Sequence, residues 1–151
     1  MAEALTIEIG SITTADAGDW RRLWSGYLDF YGARVGSGML QTSFERLTGS
    51  DPRDFRGLIA RIGGRAAGLA HFLFHRHMWR VENVCYLQDL WTEPEFRGRG
   101  VARRLMEAVY DEADRARAPA VWWLTAHDNA TARRLYDRVW RLSPFVKYDR
   151  A

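Results

Sequence analysis

One stretch near the middle of the chain constrains the fold more than any other. The apolar run VCYLQDLWT is typical of a strand, and the turn EPEFRGRG places Gly98 and Gly100 among arginines directly before the helical pattern VARRLMEAVY. Pro119 ends that pattern, and AVWWLTA then predicts a second strand, buried on both faces. This order of strand, helix and strand predicts a crossover between Leu87 and Ala126 that joins parallel neighbours in one sheet.

The rest of the chain predicts antiparallel strands and three further helices. ALTIEIGSI alternates apolar and polar residues as a half-buried strand does, and AGDWRRLWSGYLDFYG repeats apolar residues at helical spacing up to Gly32. A shorter helix in MLQTSFERLTG precedes strands in FRGLIARI and AAGLAHFLFHR, and HDNATARRLYDRV and SPFVKYD predict a last helix and a last strand. The predicted fold class is α/β with a mixed sheet, antiparallel first and parallel in its second half, with helices on its faces. We expect a single domain over residues 1–151.

Composition narrows the classes of function. The 151 residues carry a net charge of +3 with arginines interleaved among acidic residues, which disfavours a nucleic-acid-binding protein, and no apolar run is long enough to cross a bilayer. The single cysteine, Cys85, favours a reducing, cytoplasmic setting and is expected in the core rather than as a nucleophile. The alternating His71, His75 and His77 lack a second ligand pair, so we interpret them as polar or catalytic-support residues and expect no metal.

The glycine and arginine turn suits a phosphate. The first N–H groups of a helix have no internal partners and favour negative charge, while glycines let a ligand approach and Arg97 and Arg99 add donors. The turn lacks the Gly-Lys-Ser or Gly-Lys-Thr ending of a nucleotide-kinase loop and the final glycine of the dinucleotide fingerprint. Spacing alone therefore leaves open both a phosphate site and an ordinary helix start.

Together with its surroundings, this turn resembles the GNAT acyltransferases, whose pyrophosphate-binding motif reads Arg or Gln, two residues, Gly, one residue, then Gly or Ala. Arg97, Gly100 and Ala102 match it, and the likeness extends through CYLQDLWTEPEFRGRG and HDNATARRLYDRV. The chain looks most like the branch of polyamine, histone and small amino-acid N-acetyltransferases. The resemblance implies acetyl-coenzyme A as cofactor, with its pantetheine arm in a gap beside the strand. The cofactor-binding residues it implies are Leu90, Trp91, Thr92, Arg97, Gly98, Arg99, Gly100, Val101, Ala102, Asn129 and Tyr136.

The resemblance also assigns catalytic roles. Similar proteins use the tyrosine at Tyr136 as general acid for the departing thiolate, whereas on the residues alone Asn129 suits a helix cap and Tyr136 a core position. The family glutamate that accepts the proton of the amine is replaced by Gln88, which cannot take a proton. Asp89 can serve only if a bulge turns both residues to the cleft, or Gln88 holds a water that passes the proton on. A third alternative is a group from elsewhere, such as Glu82 or His77.

The acceptor amine is expected between the first helices and the loop HRHMWRVEN. Trp24, Tyr27 and Trp79 are candidates to bind it through cation-π contacts, although such an aromatic stripe also suits a core. The predicted function is transfer of acetyl to a primary amine of a polyamine, amino acid or protein lysine by direct attack in a ternary complex. The alternatives are an acyl-coenzyme A sensor or assembly domain with lost catalysis and, less favoured, a nucleic-acid-binding domain. A homodimer is expected as in similar proteins, with interface candidates at Trp122, Trp123 and Trp140.

Overall fold

The computed structural model describes residues 5–150, which surround a five-stranded sheet in the order β1-β2-β3-β4-β5. The strands are β1 (Ile7–Ser11), β2 (Arg56–Ile62), β3 (Arg65–His75), β4 (Val84–Thr92) and β5 (Val121–Trp122). The helices are α1 (Ala17–Phe30), α2 (Ser37–Thr48), α3 (Val101–Arg115) and α4 (Ala130–Val139). Strands β1 to β4 pair antiparallel and β5 pairs parallel to β4, so the predicted mixed α/β sheet is confirmed. Residues 1–4 and 151, the ends of the predicted domain, lie outside the described residues.

Two apolar layers enclose the sheet. On one face, Trp20 and Leu23 of α1 pack in a buried cluster with Trp91 of β4. On the other face, Leu105 and Val109 of α3 are fully buried among side chains of β2, β3 and β4. Burying one such side chain stabilises the folded state by about 1.5–3 kcal/mol. Because these residues recur at helical spacing, they lie on one face of α3 and hold it against the sheet.

Two strand predictions are wrong. AVWWLTA forms a strand only at Val121–Trp122 and is not buried on both faces, because Trp122 and Leu124 are 40% and 45% exposed. SPFVKYD forms no strand, and Phe145 and Val146 are each 75% exposed. A strand must satisfy its backbone groups against a neighbour, and the two residues of β5 offer only a short edge for another strand to extend.

A bulge in β4 decides which face of the sheet its side chains point to. In the register with β3, Asp89 lies opposite His71 and Leu87 opposite Phe72, which leaves Gln88 as the extra residue. Leu87 packs in the α3-side cluster, whereas Asp89 contacts side chains of α1. The bulge that Gln88 and Asp89 need if both are to reach the cleft is thus present.

Candidate active site

The parallel strands β4 and β5 separate soon after they pair. Their register consists of Cys85 with Val121 and Tyr86 with Trp122, after which the strands diverge. Within the described residues, no strand pairs with β4 beyond this point on that side, which leaves backbone groups that an extended ligand requires. The gap is lined by Tyr27, Tyr31, Leu87, Gln88, Leu90, Trp123, Leu124 and Tyr136.

The N-terminus of α3 follows the end of β4 after a short turn. Its N-cap, Gly100, has φ 83° and ψ 13°, a left-handed conformation that glycine adopts without strain, and Gly98 has φ 75°. The first hydrogen bond of the helix runs from the Arg104 N–H to the Gly100 carbonyl at 3.0 Å, so the N–H groups of the three intervening residues precede it. No side chain in the described part of the chain caps this end with a hydrogen bond. Its geometry fits an anion such as a phosphate group.

Two arginines of the turn between β4 and α3 contact aromatic rings and a backbone carbonyl. The guanidinium of Arg97 donates through Nε to the Thr92 carbonyl at 3.2 Å and lies 4.9 Å from the centre of the Trp91 ring. Arg99 lies 5.5 Å from the ring centre of Phe96. The Thr92 hydroxyl is buried and has no hydrogen-bond partner among residues 5–150. A bound ligand can satisfy such a buried polar atom at the end of β4, so the residues present fit the predicted cofactor.

A buried polar network lies beneath α1. His71 and Asp89 are each only 5% exposed, and their side chains join through His71 Nδ1 and Asp89 Oδ2 at 2.8 Å. Trp24 Nε1 donates to the same carboxylate oxygen at 3.2 Å, and Trp20 Nε1 donates to His71 Nε2 at 2.9 Å. Because an indole N–H can only donate, His71 Nε2 is the acceptor and the ring carries its proton on Nδ1. His71 is therefore a neutral donor to the Asp89 carboxylate.

Two tyrosines face the gap from opposite sides of the sheet. Burial raises the pKa of Tyr27 well above its usual value, and the negative charge of the Asp89 carboxylate raises it further. Burial, with a smaller effect of Tyr31, raises the pKa of Tyr136 to about 12. The Tyr136 ring packs edge-on against Trp123 with 5.6 Å between centres. Both phenols are thus protonated at neutral pH.

Asn129 caps the helix that carries Tyr136. Its Oδ1 accepts from the Ala132 N–H at 3.4 Å, and its Nδ2 donates to the Thr125 hydroxyl at 3.3 Å. The capping role that the sequence suggested is therefore present, and the contact of Asn129 with a cofactor stays a prediction.

The other predicted residues lie outside the lining of the gap. Trp79 is 82% exposed in the loop after β3, and its backbone N–H donates to His77 Nδ1 at 3.1 Å. Glu82 forms an ion pair with Arg80 at 3.2 Å. Cys85 is buried as expected, and burial raises the pKa of its thiol to about 12 against the lowering effect of Arg56, so it is a poor nucleophile.

The diverging parallel strands β4 and β5 and the open N-terminus of α3 are typical of a protein that binds an elongated ligand with a phosphate group at one end. The sequence profile described as "Acetyltransferase (GNAT) family" matches residues 20–139. The chain belongs to this family and is an acetyltransferase, as the motif resemblance implied. Within the described part of the chain, no helix combines the length and hydropathy needed to cross a bilayer.

Known proteins resemble the chain over the whole or part of its length. It is 34% identical over 145 residues to the D-amino-acid N-acetyltransferase HPA3 of Saccharomyces cerevisiae, covering 95% of this chain and 90% of that protein. It is 32% identical over 83 residues to a thialysine N-epsilon-acetyltransferase of Caenorhabditis elegans, covering 55% of this chain and 51% of the other. The aminoglycoside acetyltransferase AAC(6')-Iy, solved with a bisubstrate analogue containing coenzyme A, superposes with a TM-score of 0.84 at 19% identity, covering 97% and 98% of the two chains.

Proposed function

We propose that this chain transfers the acetyl group of acetyl-coenzyme A to the primary amine of a small, amino-acid-like acceptor by direct attack in a ternary complex. One observation carries the proposal: the gap between β4 and β5 has an open helix N-terminus near one end and buried proton-handling groups along its sides. The acetyl donor, acetyl-coenzyme A, supplies the acetyl group as a reactive thioester. The buried, high-pKa thiol of Cys85 favours direct transfer over an acetylated enzyme.

The cofactor is held mainly by backbone. The N–H groups from Gly98 to Ala102 would bind the diphosphate, where the glycine at the N-cap leaves the helix end open, whereas the N–H of Arg97 already donates to the Pro94 carbonyl at 3.3 Å. Leu90, Trp91 and Thr92 flank the cofactor arm, and the unpaired Thr92 hydroxyl gains a partner there. Asn129, at the start of α4, borders the same arm while it caps the helix.

Proton transfers are divided between the two sides of the gap. Tyr136 keeps its proton at neutral pH because its pKa is about 12, and it donates that proton to the departing thiolate. On the amine side, Asp89 is the proton acceptor, because it is the carboxylate next to Gln88 that the bulge in β4 turns toward Trp24 of α1. Gln88 is exposed at the bulge, lines the gap and orients the amine or a water through its amide.

The acceptor class rests on the relatives and on the rings near Asp89. A D-amino-acid N-acetyltransferase that aligns over 95% of this chain supports a small amino-acid acceptor rather than a protein. Trp24 and Tyr27 place aromatic rings beside a carboxylate, a setting that favours an ammonium group. Trp79, in its exposed loop, contacts the more distant part of the acceptor.

Thiol release tests this function. The chain is incubated with acetyl-coenzyme A and, separately, D-amino acids, their L-enantiomers, thialysine, spermidine and a lysine-containing peptide, and the acetylated product is confirmed by mass spectrometry. We expect release with the amino acids and little with the peptide. Tight binding of coenzyme A without release for any amine would instead identify an acyl-coenzyme A sensor.

We also propose that the chain forms a homodimer in the cytoplasm. Trp122 and Trp140 are 40% and 66% exposed, and the neighbouring Leu142 and Phe145 are 73% and 75% exposed. Such a concentration of apolar side chains at one end of the chain is typical of an interface. Light scattering during gel filtration should give about twice the chain mass of 17.5 kDa, and Phe145→Ser should shift the mass toward one chain. The single buried thiol suits a reducing compartment.

A further inference from the structure

Two stacked rings lie at the point where β4 and β5 separate. The register between these strands ends with Tyr86 and Trp122, whose rings are stacked with 4.0 Å between centres and 8° between planes. Two residues further along each strand, Gln88 and Leu124 line the gap. The aromatic pair, Tyr86 and Trp122, therefore borders the closed end of the gap.

The open N-terminus of α3 lies toward the other end of the gap. Strand β4 runs from Val84 to Thr92, and the turn that leads to α3 follows Thr92, whereas Tyr86 is near the start of the strand. Coenzyme A carries its diphosphate near one end and its thiol at the other. With the diphosphate at α3, the gap leads back along β4 toward Tyr86. The aromatic pair is thus next to the end of the gap where the proposed acyl transfer takes place.

The aromatic pair is on the same face of the sheet as Asp89. In the register with β3, Asp89 lies opposite His71 and Tyr86 lies opposite Leu73. Because His71 and Leu73 are two residues apart on one strand, both point to one face, which is the face that α1 covers at His71. An amine that gives its proton to Asp89 therefore has the aromatic pair on its own side of the sheet.

His75 holds the indole of Trp122 in place. Its Nδ1 lies 2.8 Å from the Arg76 carbonyl oxygen, and because a carbonyl only accepts, Nδ1 carries the ring proton. Its Nε2 accepts from the Trp122 Nε1–H at 3.0 Å, with 88° between the two ring planes. The indole is thus fixed by a hydrogen bond at its edge and by the Tyr86 ring against one face.

Part of the indole surface is open to a ligand. Trp122 is 40% exposed although it stacks on Tyr86. A fixed aromatic surface favours another flat ring, because aromatic pairs gain energy beyond the area that they bury. The neighbouring groups do not favour a second cation, since His75 is neutral in this tautomer and the next residue is Arg76. The surface therefore suits a planar, apolar group.

We infer that Tyr86 and Trp122 form the side-chain subsite of the acceptor and select an amino acid with an aromatic side chain, and that His75 is a positioning residue that holds the indole. The inference rests on the proposed function, since it concerns the acceptor of the same reaction. Trp122 is also an interface candidate. The subsite needs only the indole of the same chain, so acceptor preference and oligomeric state can be measured separately.

The test compares two acceptors, D-phenylalanine and D-alanine, on the full chain with acetyl-coenzyme A. We expect the wild type to have a kcat/KM about tenfold or more higher for D-phenylalanine. Trp122→Ala should raise KM for D-phenylalanine by about tenfold, with kcat and the KM for D-alanine changed by less than about twofold, because a methyl group makes little contact with the rings. Trp122→Leu keeps apolar bulk without a flat surface and should have nearly the same effect. Thermal melts check that each variant is folded.

Substitutions of His75 separate positioning from packing. His75→Leu removes the acceptor of the indole N–H and should raise KM for D-phenylalanine by about threefold. His75→Gln keeps an acceptor in its amide oxygen and should retain most of the wild-type KM. Trp122→Phe removes the donor, so adding His75→Leu to that variant should have no further effect. A rise in KM that persists in the double variant contradicts the positioning role.

Trp140 provides a control for the interface. It is 66% exposed and lies outside the aromatic pair. Trp140→Ala can lower the mass measured by light scattering, but it should leave the preference for D-phenylalanine over D-alanine unchanged. A wild type without that preference, an unchanged preference in both Trp122→Ala and Trp122→Leu, or the same change in Trp140→Ala overturns the inference alone. A wild type that acetylates neither acceptor overturns the proposed function and the inference with it.

Discussion

Replacing Gly100 by alanine tests whether backbone geometry at the start of α3 creates the phosphate site. Gly100 has φ 83°, and holding an L residue in that left-handed conformation costs about 1–2 kcal/mol. Alanine also lowers the entropy of the unfolded chain, which returns up to about 1 kcal/mol. The net loss of about 1 kcal/mol corresponds to a fall of about 2–4 °C in Tm for a chain of this length.

The same change should weaken coenzyme A binding. If alanine turns the helix start by relaxing φ, one charge-assisted hydrogen bond to the diphosphate is lost, about 1.5–3 kcal/mol or roughly a tenfold to hundredfold rise in Kd. Calorimetry with coenzyme A measures this, and thermal unfolding measures Tm. Gly18→Ala in α1 is the control, because its added Cβ meets nothing within 4 Å and should leave binding unchanged. Unaltered affinity and Tm in Gly100→Ala would refute the backbone argument.

Three further substitutions test separate parts of the site and fold. Tyr136→Phe should lower kcat by about a hundredfold or more while calorimetry finds the affinity for coenzyme A largely kept, because the ring can still pack on Trp123; unchanged turnover would remove the phenol from the mechanism. Gln88→Glu places a second carboxylate next to Asp89. Because two neighbouring negative charges favour protonation, the acidic limb of the plot of kcat/KM against pH should move to higher pH; a limb that stays in place or moves to lower pH contradicts this. Burial raises the pKa of Asp16, but hydrogen bonds from Thr13 and Arg61 outweigh it and hold the pKa below its usual value. This stabilisation is present above about pH 4 and is lost as pH falls through the folded pKa, so thermal melts should show the wild type losing more stability on acidification than Asp16→Asn.

The parts of the fold with a strong local pattern were predictable from sequence. Strand β4 has the bounds of the run VCYLQDLWT, and α3 begins at Val101 directly after the glycine turn. The last strand was not predictable, because alternation in SPFVKYD does not reveal whether a neighbouring edge is long enough to pair with it. The short β5 leaves that segment exposed, with Tyr148 at 91%.

The candidate site likewise has one part that was predictable from sequence and one part that was not. The helix end before Val101 depends on glycines and on the chain direction, both of which are visible in a few consecutive residues. The buried network depends on contacts between distant residues: Trp20 and His71 are 51 apart, and Trp24 and Asp89 are 65 apart. His71, His75 and His77 look alike in sequence, and only the fold distinguishes the one that meets a carboxylate.

The bulge decides where the carboxylate that follows Gln88 points, and Gln88 is the position where the resemblance predicts a glutamate. In a regular strand, adjacent side chains point to opposite faces, and the loss of an acid at Gln88 would leave its neighbour on the wrong side. The shifted register sets Asp89 opposite His71 and turns it toward α1, where the ring N–H groups of His71 and Trp24 donate to its carboxylate and Trp20 donates to His71. The carboxylate is thereby displaced by one position along the chain.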